Sequence, residues 1–415
     1  MIRTLRRAGV AAVLAAITPL AVTAPATAAS SDTGLFGSAD PTYDGVYRQG
    51  LAVLGLIAAG QHPDAAAIDW LLGQQCADGA FTAYRPDPTV PCQTSKEDSN
   101  ATALAAMALI AAGKTAAGTA AAHALANFQL ADGGFYASAA FGTPASDANS
   151  TGLTLSTFAA AGIDPTSITK NGKNGVDFLR SLQVPCTAGS GAGAFDYQPE
   201  TPLAANDYAT VQAVLGLLGK ALPVPAATPA AAVPACVPST DAATAAADAI
   251  GYLANRLTAT HGAIPSAFGS GTDWTTTANA VLDLIAAGQG AAAVQEGLAA
   301  LQTNARSYIT SNGTTSPGAV GTLLLVAAAT GTNPRNFGGV DLVTALLATE
   351  RSAPATATPT PSASASATPR PTATPATLPM TGSRVDLPVA AAGVVLLALG
   401  TALVLSARRP RRSRS

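Results

Sequence analysis

Acidic, amide and aromatic side chains recur where the apolar, helix-forming segments of this sequence begin. These residues are Asp98, Asn100, Asp147, Asn149, Asp207, Tyr208, Asp273 and Trp274. Carboxylates and amides that converge beside aromatic rings can bind a small polar molecule or a glycan, since ligand sites are concave and hold a few convergent polar groups. An acidic or amide side chain at a helix start can also be purely structural, because it accepts hydrogen bonds from free N–H groups of the first turn.

Three of these carboxylates suggest a second chemistry. Many polysaccharide-cleaving enzymes use two carboxyl groups, one of which stays protonated and acts as an acid. The candidates here are Asp98, Asp147 and Asp207. A sequence does not contain the distance between two side chains, so an enzymatic alternative stays open beside ligand binding.

The segments that these residues begin form a repeat. The clearest unit runs from Asp98 to Phe135 and predicts two antiparallel helices followed by a glycine turn. The first helix of each unit is apolar on nearly every side, which is typical of a buried helix, whereas the second has a narrower apolar stripe. Further units start near residues 44, 147, 206, 273 and 317, and a Pro/Ala-rich loop interrupts the fourth. Four threonines recur shortly after the helix starts: Thr102, Thr151, Thr210 and Thr277.

Six such hairpins close most simply as an inner ring of six parallel helices inside an outer ring of six. The N-termini of the inner helices would then meet at one end of the ring, which we call the mouth. This arrangement would bring together the side chains of Asp44, Asp98, Asn100, Asp147, Asn149, Asn206, Asp207 and Asp273, with Tyr208 and Trp274 beside them.

The repeat also resembles a known superfamily. Q-C-A-D-G-A-F at residues 75–81, Q-L-A-D-G-G-F at 129–135 and the two D-x-N-x-T starts look like the prenyltransferase and squalene-cyclase repeats of α/α toroids. The Gln…Gly…Phe ending resembles the Gln–Trp motif of triterpene cyclases, with Phe in place of Trp. The resemblance covers about residues 44–350 and implies an all-α, six-hairpin (α/α)6 toroid. Vitamin carriers of the intrinsic factor type share this toroid, so the resemblance indicates the fold far better than the function.

The catalytic motifs of the best-known enzymes with this fold are missing from the sequence. It has no D-x-D-D or D-D-x-x-D motif and no G-x-S-x-G motif. Zinc-dependent members use Asp-x-Cys, and here Asn100 and Asn149 stand where the thiolate would be. The histidines at 62, 123 and 261 are scattered along the chain. We therefore expect no metal and no cofactor.

The N-terminal residues predict secretion. A basic start, an apolar run over 9–22 and small residues at 26–28 are typical of a signal peptide spanning 1–29. A twin-arginine signal is the alternative, but small residues follow the arginines, which favours the general secretory route. Nine of the 22 basic and one of the 24 acidic residues lie in the terminal segments, so the remaining chain carries a formal charge of −10. Nucleic acid and anionic membrane surfaces are therefore not expected as partners.

Four cysteines in a secreted chain favour two disulfides. We favour the pairing of Cys76 with Cys92, which closes a short loop, and of Cys186 with Cys236. The other two pairings and free thiols are the alternatives.

The composition changes after the ectodomain, residues 30–350. Residues 351–377 are rich in Pro, Thr, Ala and Ser and predict an extended, disordered stalk. An apolar segment over 387–407 is long enough to span a hydrocarbon core of ~30 Å, and a basic tail over 408–415 is typical of the cytoplasmic side. A pentapeptide precedes that span, consisting of Leu378, Pro379, Met380, Thr381 and Gly382.

Pentapeptide, apolar span and basic tail in this order resemble the cell-wall sorting signal of Gram-positive surface proteins. The resemblance implies that a sortase cleaves between Thr381 and Gly382 and joins Thr381 to the peptidoglycan cross-bridge. A plain membrane anchor is the alternative. We expect a secreted, wall-anchored protein that presents the toroid to an unidentified small molecule, glycan or surface ligand. The enzymatic alternative is a surface enzyme acting on a polysaccharide or a terpenoid-like substrate.

Overall fold

The computed structural model describes residues 32–238, 240–267 and 269–352. The described part of the chain forms twelve α-helices: α1 (Gly45–Ala58), α2 (Ala65–Gln74), α3 (Ser99–Ala111), α4 (Thr115–Ala124), α5 (Ala148–Ala161), α6 (Gly175–Ser181), α7 (Asp207–Leu217), α8 (Ala242–Ala259), α9 (Trp274–Ala287), α10 (Ala291–Ile309), α11 (Pro317–Thr330) and α12 (Leu342–Leu347). None of them combines the length and hydropathy needed to cross a bilayer. The signal peptide, the stalk beyond residue 352, the sorting motif, the apolar span and the basic tail lie outside the described residues.

Short strands and 3-10 turns connect the helices. Two hairpins pair β1 (Thr169–Lys170) with β2 (Lys173–Asn174) and β3 (Thr310–Ser311) with β4 (Thr314–Thr315). The 3-10 turns of the described segments are Thr94–Lys96, Leu125–Phe128, Ala139–Phe141 and Gly189–Gly191.

The odd-numbered helices form a closed inner ring. Each packs against the next one in the chain, from α1 through α3, α5, α7 and α9 to α11, and α11 packs back against α1. Each even-numbered helix packs outside, against the odd-numbered helix that precedes it. The arrangement confirms the predicted mostly helical fold of toroid type.

Glycines set the close approach between inner helices. A Cβ atom on Gly55 of α1 would lie 2.6 Å from the carbonyl oxygen of Gly321 on α11, and one on Gly216 of α7 would lie 2.6 Å from the carbonyl oxygen of Gly152 on α5. Real side chains do not fit at such distances, so these pairs of helices pack backbone against backbone. Dispersion contacts between closely packed atoms therefore replace the large side chains that this Ala-rich chain lacks.

The recurring threonines pin the turns that precede the inner helices. The backbone N–H of Phe135 donates to Oγ1 of Thr151 (2.9 Å), and Phe81 and Thr102 make the same bond. Thr210 and Thr277 accept equivalent bonds from Phe195 and Ile264. The three phenylalanine side chains are fully buried. Each Thr thus fixes a turn against the core. This contact explains why a threonine recurs at the same position in four of the repeats.

The glutamine of the Gln…Gly…Phe ending joins consecutive repeats. Nε2 of Gln129 donates to the carbonyl oxygens of Gly133 in its own turn and of Ile168 in the next unit, both at 3.0 Å. Gln75 and Gln183 make the corresponding pair of bonds. The motif is therefore structural in this protein.

The ring closes through the two ends of the domain. Phe36 pairs with Glu350 in an isolated antiparallel bridge, and the backbone N–H of Gly34 donates to the carbonyl oxygen of Arg351. Gln49 of α1 holds this turn as the other glutamines hold theirs, because its Nε2 donates to the carbonyl oxygens of Gly34 and Ala67. The N-terminal residues thus complete the sixth repeat, which the sequence showed only as degenerate.

The Pro/Ala-rich loop between α7 and α8 covers the end of the ring opposite the mouth. Its Ala230 N–H donates to the carbonyl oxygen of Gly288 at the end of α9, and its Ala227 N–H donates to that of Ala329 in α11. The predicted disulfides are confirmed: Cys76 bonds to Cys92 and Cys186 to Cys236. The second disulfide ties this loop to the third repeat.

Candidate functional site

The predicted acidic residues lie at the starts of the inner helices, and three of them cap those helices. Oδ1 of Asp98 accepts the N–H of Ala101 (2.9 Å), and Oδ1 of Asp273 accepts that of Thr276 (2.9 Å). Oδ1 of Asp147 accepts the N–H of Ser150 (2.7 Å). Capping is therefore an established role of these carboxylates. The second oxygens of Asp147 and Asp273 also accept bonds, from the hydroxyl groups of Ser150 and Thr276.

Two other acidic positions differ from the expected arrangement. Asp44 makes no capping hydrogen bond and instead accepts one from the guanidinium of Arg48 (2.9 Å). Asp207 is turned away from the mouth toward α8, where it pairs with Arg256 (2.9 Å) and accepts a hydrogen bond from the Tyr252 hydroxyl (2.6 Å). The reason is its place in the first turn of α7, one residue after the cap Asn206, so its side chain points to the outer ring.

Tyrosines and carboxyl groups from different repeats converge at the mouth. Burial and, to a smaller extent, the nearby charge of Asp98 raise the pKa of Tyr47 to about 12. Burial also raises the pKa of Tyr208, as do the neighbouring Tyr47, Tyr197, Asp147 and Asp273. We call the group that these interactions connect the mouth cluster: Tyr47, Asp98, Asp147, Tyr197, Tyr208, Asp273 and Tyr308.

The aromatic side chains of the mouth cluster are half-buried. Tyr197 and Tyr208 lie with ring centroids 6.4 Å apart, and Tyr308 bonds through its hydroxyl to Oγ1 of Thr275 (3.0 Å). Trp274, the first residue of α9, is half-buried at the same end. The sequence did not predict Tyr47, Tyr197 or Tyr308 at this site. The position of Tyr47 in the first turn of an inner helix was a usable signal, whereas the other two reach the mouth from a loop and from an outer helix.

Two carboxyl groups of the mouth cluster have pKa values above the usual range of an aspartate. Burial raises the pKa of Asp98 to about 6 and, against the hydrogen bonds from Ser150, that of Asp147 to about 7. The Asp147 side chain is only 3% exposed, so its charged form loses most of its hydration. A carboxyl group that is half-protonated at neutral pH can donate or accept a proton, which is the property that a general acid requires.

The two predicted amides are buried beside these carboxyl groups. Asn100 and Asn149 are nearly inaccessible, and Oδ1 of Asn100 has no hydrogen-bond partner within the described ranges. Buried polar atoms normally have a partner, because an unpaired one costs about 1–3 kcal/mol. Asn100 therefore has an acceptor available close to the mouth.

A separate cavity of about 490 Å³ lies beside α8, on the outer side of the ring. Asp207, Asp248, Tyr252, Asn255 and Arg256 line it, together with the turn over 189–192 and the loop over 234–236. We call it the lateral cavity. Among its residues the sequence predicted Asp207 as a ligand-binding residue and Cys236 as a disulfide cysteine. The polar residues of α8 were not predicted, because they lie on an outer helix with no distinguishing motif.

A second, much smaller cavity of about 30 Å³ lies between α5, α7 and α9. Asp283 lines it, is 1% exposed, and has two carboxylate oxygens without a hydrogen-bond partner among the described residues. Burial raises the pKa of this carboxyl group well above its usual value, which disfavours its charged form.

Two groups of potential metal ligands occur in the described part of the chain, Cys186 with Cys236 and Asp248, and Cys76 with Asp78 and Glu97. The cysteine sulfurs of both groups are in disulfides. Zinc is bound by thiolates and not by disulfide sulfur. Neither group supplies a ligand set for zinc in its oxidised form.

Comparisons with known proteins found similar solved structures but no similar sequence family. No protein-family model and no curated protein sequence matches the chain. A sugar epimerase from a ruminal bacterium has a similar structure, with a TM-score of 0.48, 12% identity, and coverage of 72% of this chain and 92% of that one. A protein from Actinoplanes gives a TM-score of 0.42 at 18% identity, covering 71% and 91%. The type II terpene cyclase MstE from Scytonema gives 0.38 at 13% identity, covering 68% and 87%. These values are too low to assign any of those activities to this protein.

Proposed function

We propose that this protein captures an extracellular small molecule, glycan or other surface ligand at the mouth of the toroid. The convergence of half-buried tyrosines with carboxyl groups at one end of the ring supports the proposal. The loop between α7 and α8 covers the other end, so a ligand would enter from the mouth. A tyrosine ring combines a flat apolar face with a polar hydroxyl group, which suits a ligand that carries both kinds of surface.

The mouth can be tested by removing its aromatic rings. Molecules that co-purify with the full-length chain would be identified by mass spectrometry and then used for binding measurements. Tyr208→Ala and Tyr197→Ala should abolish capture while the far-ultraviolet circular dichroism stays unchanged, and Leu347→Ala, an exposed apolar position on α12, serves as the control. Capture that survives both aromatic substitutions would show that the ligand does not bind at the mouth.

We further propose that the toroid is displayed on a Gram-positive cell wall. The proposal rests on the order of L-P-M-T-G, apolar span and basic tail at the C-terminus, behind a signal peptide. A sortase would cleave after Thr381, and the peptidoglycan cross-bridge would be the covalent partner. The stalk would hold the mouth away from the wall, because a Pro-rich segment is extended, at about 3.1 Å per residue.

Substitution of the cleavage-site threonine tests this anchoring. Thr381→Ala should move the protein from the wall fraction to the membrane and medium of sortase-competent cells. Thr377→Ala, four residues earlier in the stalk, should leave it on the wall. Wild-type protein that keeps its C-terminal span in such cells would exclude wall anchoring.

An enzymatic function is the alternative, and the raised pKa values of Asp98 and Asp147 favour it. One of these groups could act as a general acid on a polysaccharide or a terpenoid-like substrate. In that case Asp147→Asn should abolish turnover of the captured molecule but preserve its binding, as followed by product analysis. A captured molecule that is recovered unchanged from the wild-type protein would favour the binding function.

A further inference from the structure

The lateral cavity has rigid walls. The 234–236 segment lies against α8, where the absence of a side chain at Gly251 permits contact with Pro234, and Cys236 in the same segment is bonded to Cys186. The N–H of Val237 donates to Oδ1 of Asp248 (2.9 Å). A cavity held by a disulfide and by a partly buried hydrogen bond keeps its shape without a ligand, which lowers the entropic cost of binding.

The polar groups of the cavity form a stripe on α8. Asp248, Tyr252 and Arg256 follow each other at intervals of four residues, which places them on one face of the helix. Eight residues of α-helix rise by about 12 Å. The stripe is therefore long enough for an elongated ligand, and the volume of about 490 Å³ is in the range of small-molecule sites.

Several of these groups have bonding capacity that the protein does not use. Asp248 is 2% exposed, and its second oxygen has no partner in the described ranges, although burial raises the pKa of this carboxyl group. Arg256 uses Nε and Nη2 for Asp207, so Nη1 and the outer edge of the guanidinium remain free, and its side chain is 35% exposed. Asn255 is exposed beside it and offers both a donor and an acceptor.

The charges of the cavity argue for a neutral ligand. Arg256 is compensated by Asp207, and Asp248 lies about two turns of helix away. An anion would meet the carboxylate of Asp248 and a guanidinium that is already paired, and a cation that filled the stripe would lie against Arg256 at one end. A hydroxyl group both donates and accepts, so a polyhydroxylated molecule can bond to the free oxygen at one end and to the free N–H groups at the other without burying an unpaired charge.

We propose that the lateral cavity is a binding site for a short neutral oligosaccharide, separate from the mouth. Its ligand lies along the Asp248–Arg256 stripe, accepts hydrogen bonds from Arg256 and Asn255, and donates one to Asp248. Asp207 fixes the Arg256 guanidinium by accepting its hydrogen bonds, and the Tyr252 hydroxyl donates to the same carboxylate.

The test blocks the cavity by a substitution with a matched control. Ala259 is exposed and lines the cavity, whereas its neighbour Thr258 is equally exposed but does not. Ala259→Trp therefore fills the cavity, and Thr258→Trp adds the same side chain outside it. The probes are cellobiose, maltose and N,N′-diacetylchitobiose, with lysine and inorganic phosphate as charged comparators. Binding to the purified full-length chain is measured by calorimetry and by saturation-transfer NMR.

We expect at least one neutral disaccharide to bind, with an affinity that falls about tenfold or more in Ala259→Trp and in Asn255→Ala and stays within about twofold in Thr258→Trp. The charged comparators should not compete. The absence of binding by all three disaccharides at millimolar concentration would overturn the proposal. So would binding that is lost in Tyr208→Ala but kept in Ala259→Trp, which would place the sugar at the mouth and would agree with the function proposed there.

Discussion

Asp147 offers a direct test of how burial controls the charge at the mouth. It caps α5 with the same two contacts by which Asp241 caps α8: Asp147 accepts bonds from the N–H and Oγ of Ser150, and Asp241 from the N–H and Oγ1 of Thr244. The pKa of the exposed Asp241 is lowered by these bonds, whereas burial raises that of Asp147 to about 7. The two residues therefore make a matched pair for the substitution Asp→Asn, which keeps the capping acceptor.

The direction in which stability changes with pH follows from the proton that the native and unfolded states bind at Asp147. Between the unfolded pKa of about 4 and the native value of about 7, the native state holds a proton on Asp147 that the unfolded state has released. Stability therefore falls as the pH rises through this window, by about 1.4 kcal/mol per pH unit. Over about three pH units, Asp147 lowers the free energy of unfolding by at most roughly 4 kcal/mol. The positive end of the α5 dipole favours the ionised form and makes this loss smaller.

Asp147→Asn removes this titration. We expect the variant and the wild type to unfold at the same denaturant concentration at pH 4, and the variant to be more stable at pH 8 by a few kcal/mol. The assay is guanidinium denaturation followed by circular dichroism at pH 4, 5, 6, 7 and 8. Asp241→Asn should show no such gain with rising pH. A stability difference for Asp147→Asn that does not change with pH would refute the assignment of a buried, protonated carboxyl group.

Three further predictions follow from other parts of the structure. Asp283→Asn should also raise the free energy of unfolding above neutral pH and leave it unchanged at pH 4, because the native state must otherwise keep a proton on an unpartnered carboxyl group. Gln129→Ala should lower the melting temperature, at a cost of about 1–3 kcal/mol for the two carbonyl oxygens that it leaves unpaired, and an unchanged melting temperature would contradict its role in joining repeats. Removal of the Cys186–Cys236 disulfide, which closes 50 residues, should cost about 4 kcal/mol against about 3 kcal/mol for the 16-residue loop of the other disulfide. Denaturation of the two double Cys→Ser variants compares them, and an equal or reversed order would count against the loop-length argument.

Two consecutive residues at the start of α7 contribute to two different sites. Tyr208 faces the mouth cluster, and Asp207 faces the lateral cavity. Adjacent residues of a helix point in directions about 100° apart, so one can face the interior of the ring and the other the outer layer. Substitutions at these two positions should therefore affect different ligands.

The repeat and its hairpins can be predicted from the amino-acid sequence alone, whereas the sequence favoured the disulfide pairing without excluding the alternatives. The repeat is local: an N-cap, an apolar helix and a glycine turn are encoded within about forty residues, and the same pattern recurs. The capping roles of Asp98, Asp147 and Asp273 follow from the same local chemistry. The signal peptide and the sorting signal are likewise predicted from composition and order alone.

Which side chains meet depends on the tertiary structure. Tyr197 and Tyr308 reach the mouth from a loop and an outer helix, whereas the Asp207 side chain points away from the mouth and pairs with Arg256. The N-terminal turn at Phe36 completes the last repeat from more than 300 residues away in the chain. Helical periodicity indicates which face of a helix is buried, but the neighbour that buries it is set by ring closure, which is a property of all six hairpins together. Burial then gives Asp147 a higher pKa than Asp241, although each carboxylate accepts the same pair of bonds from the third residue of the helix that it caps.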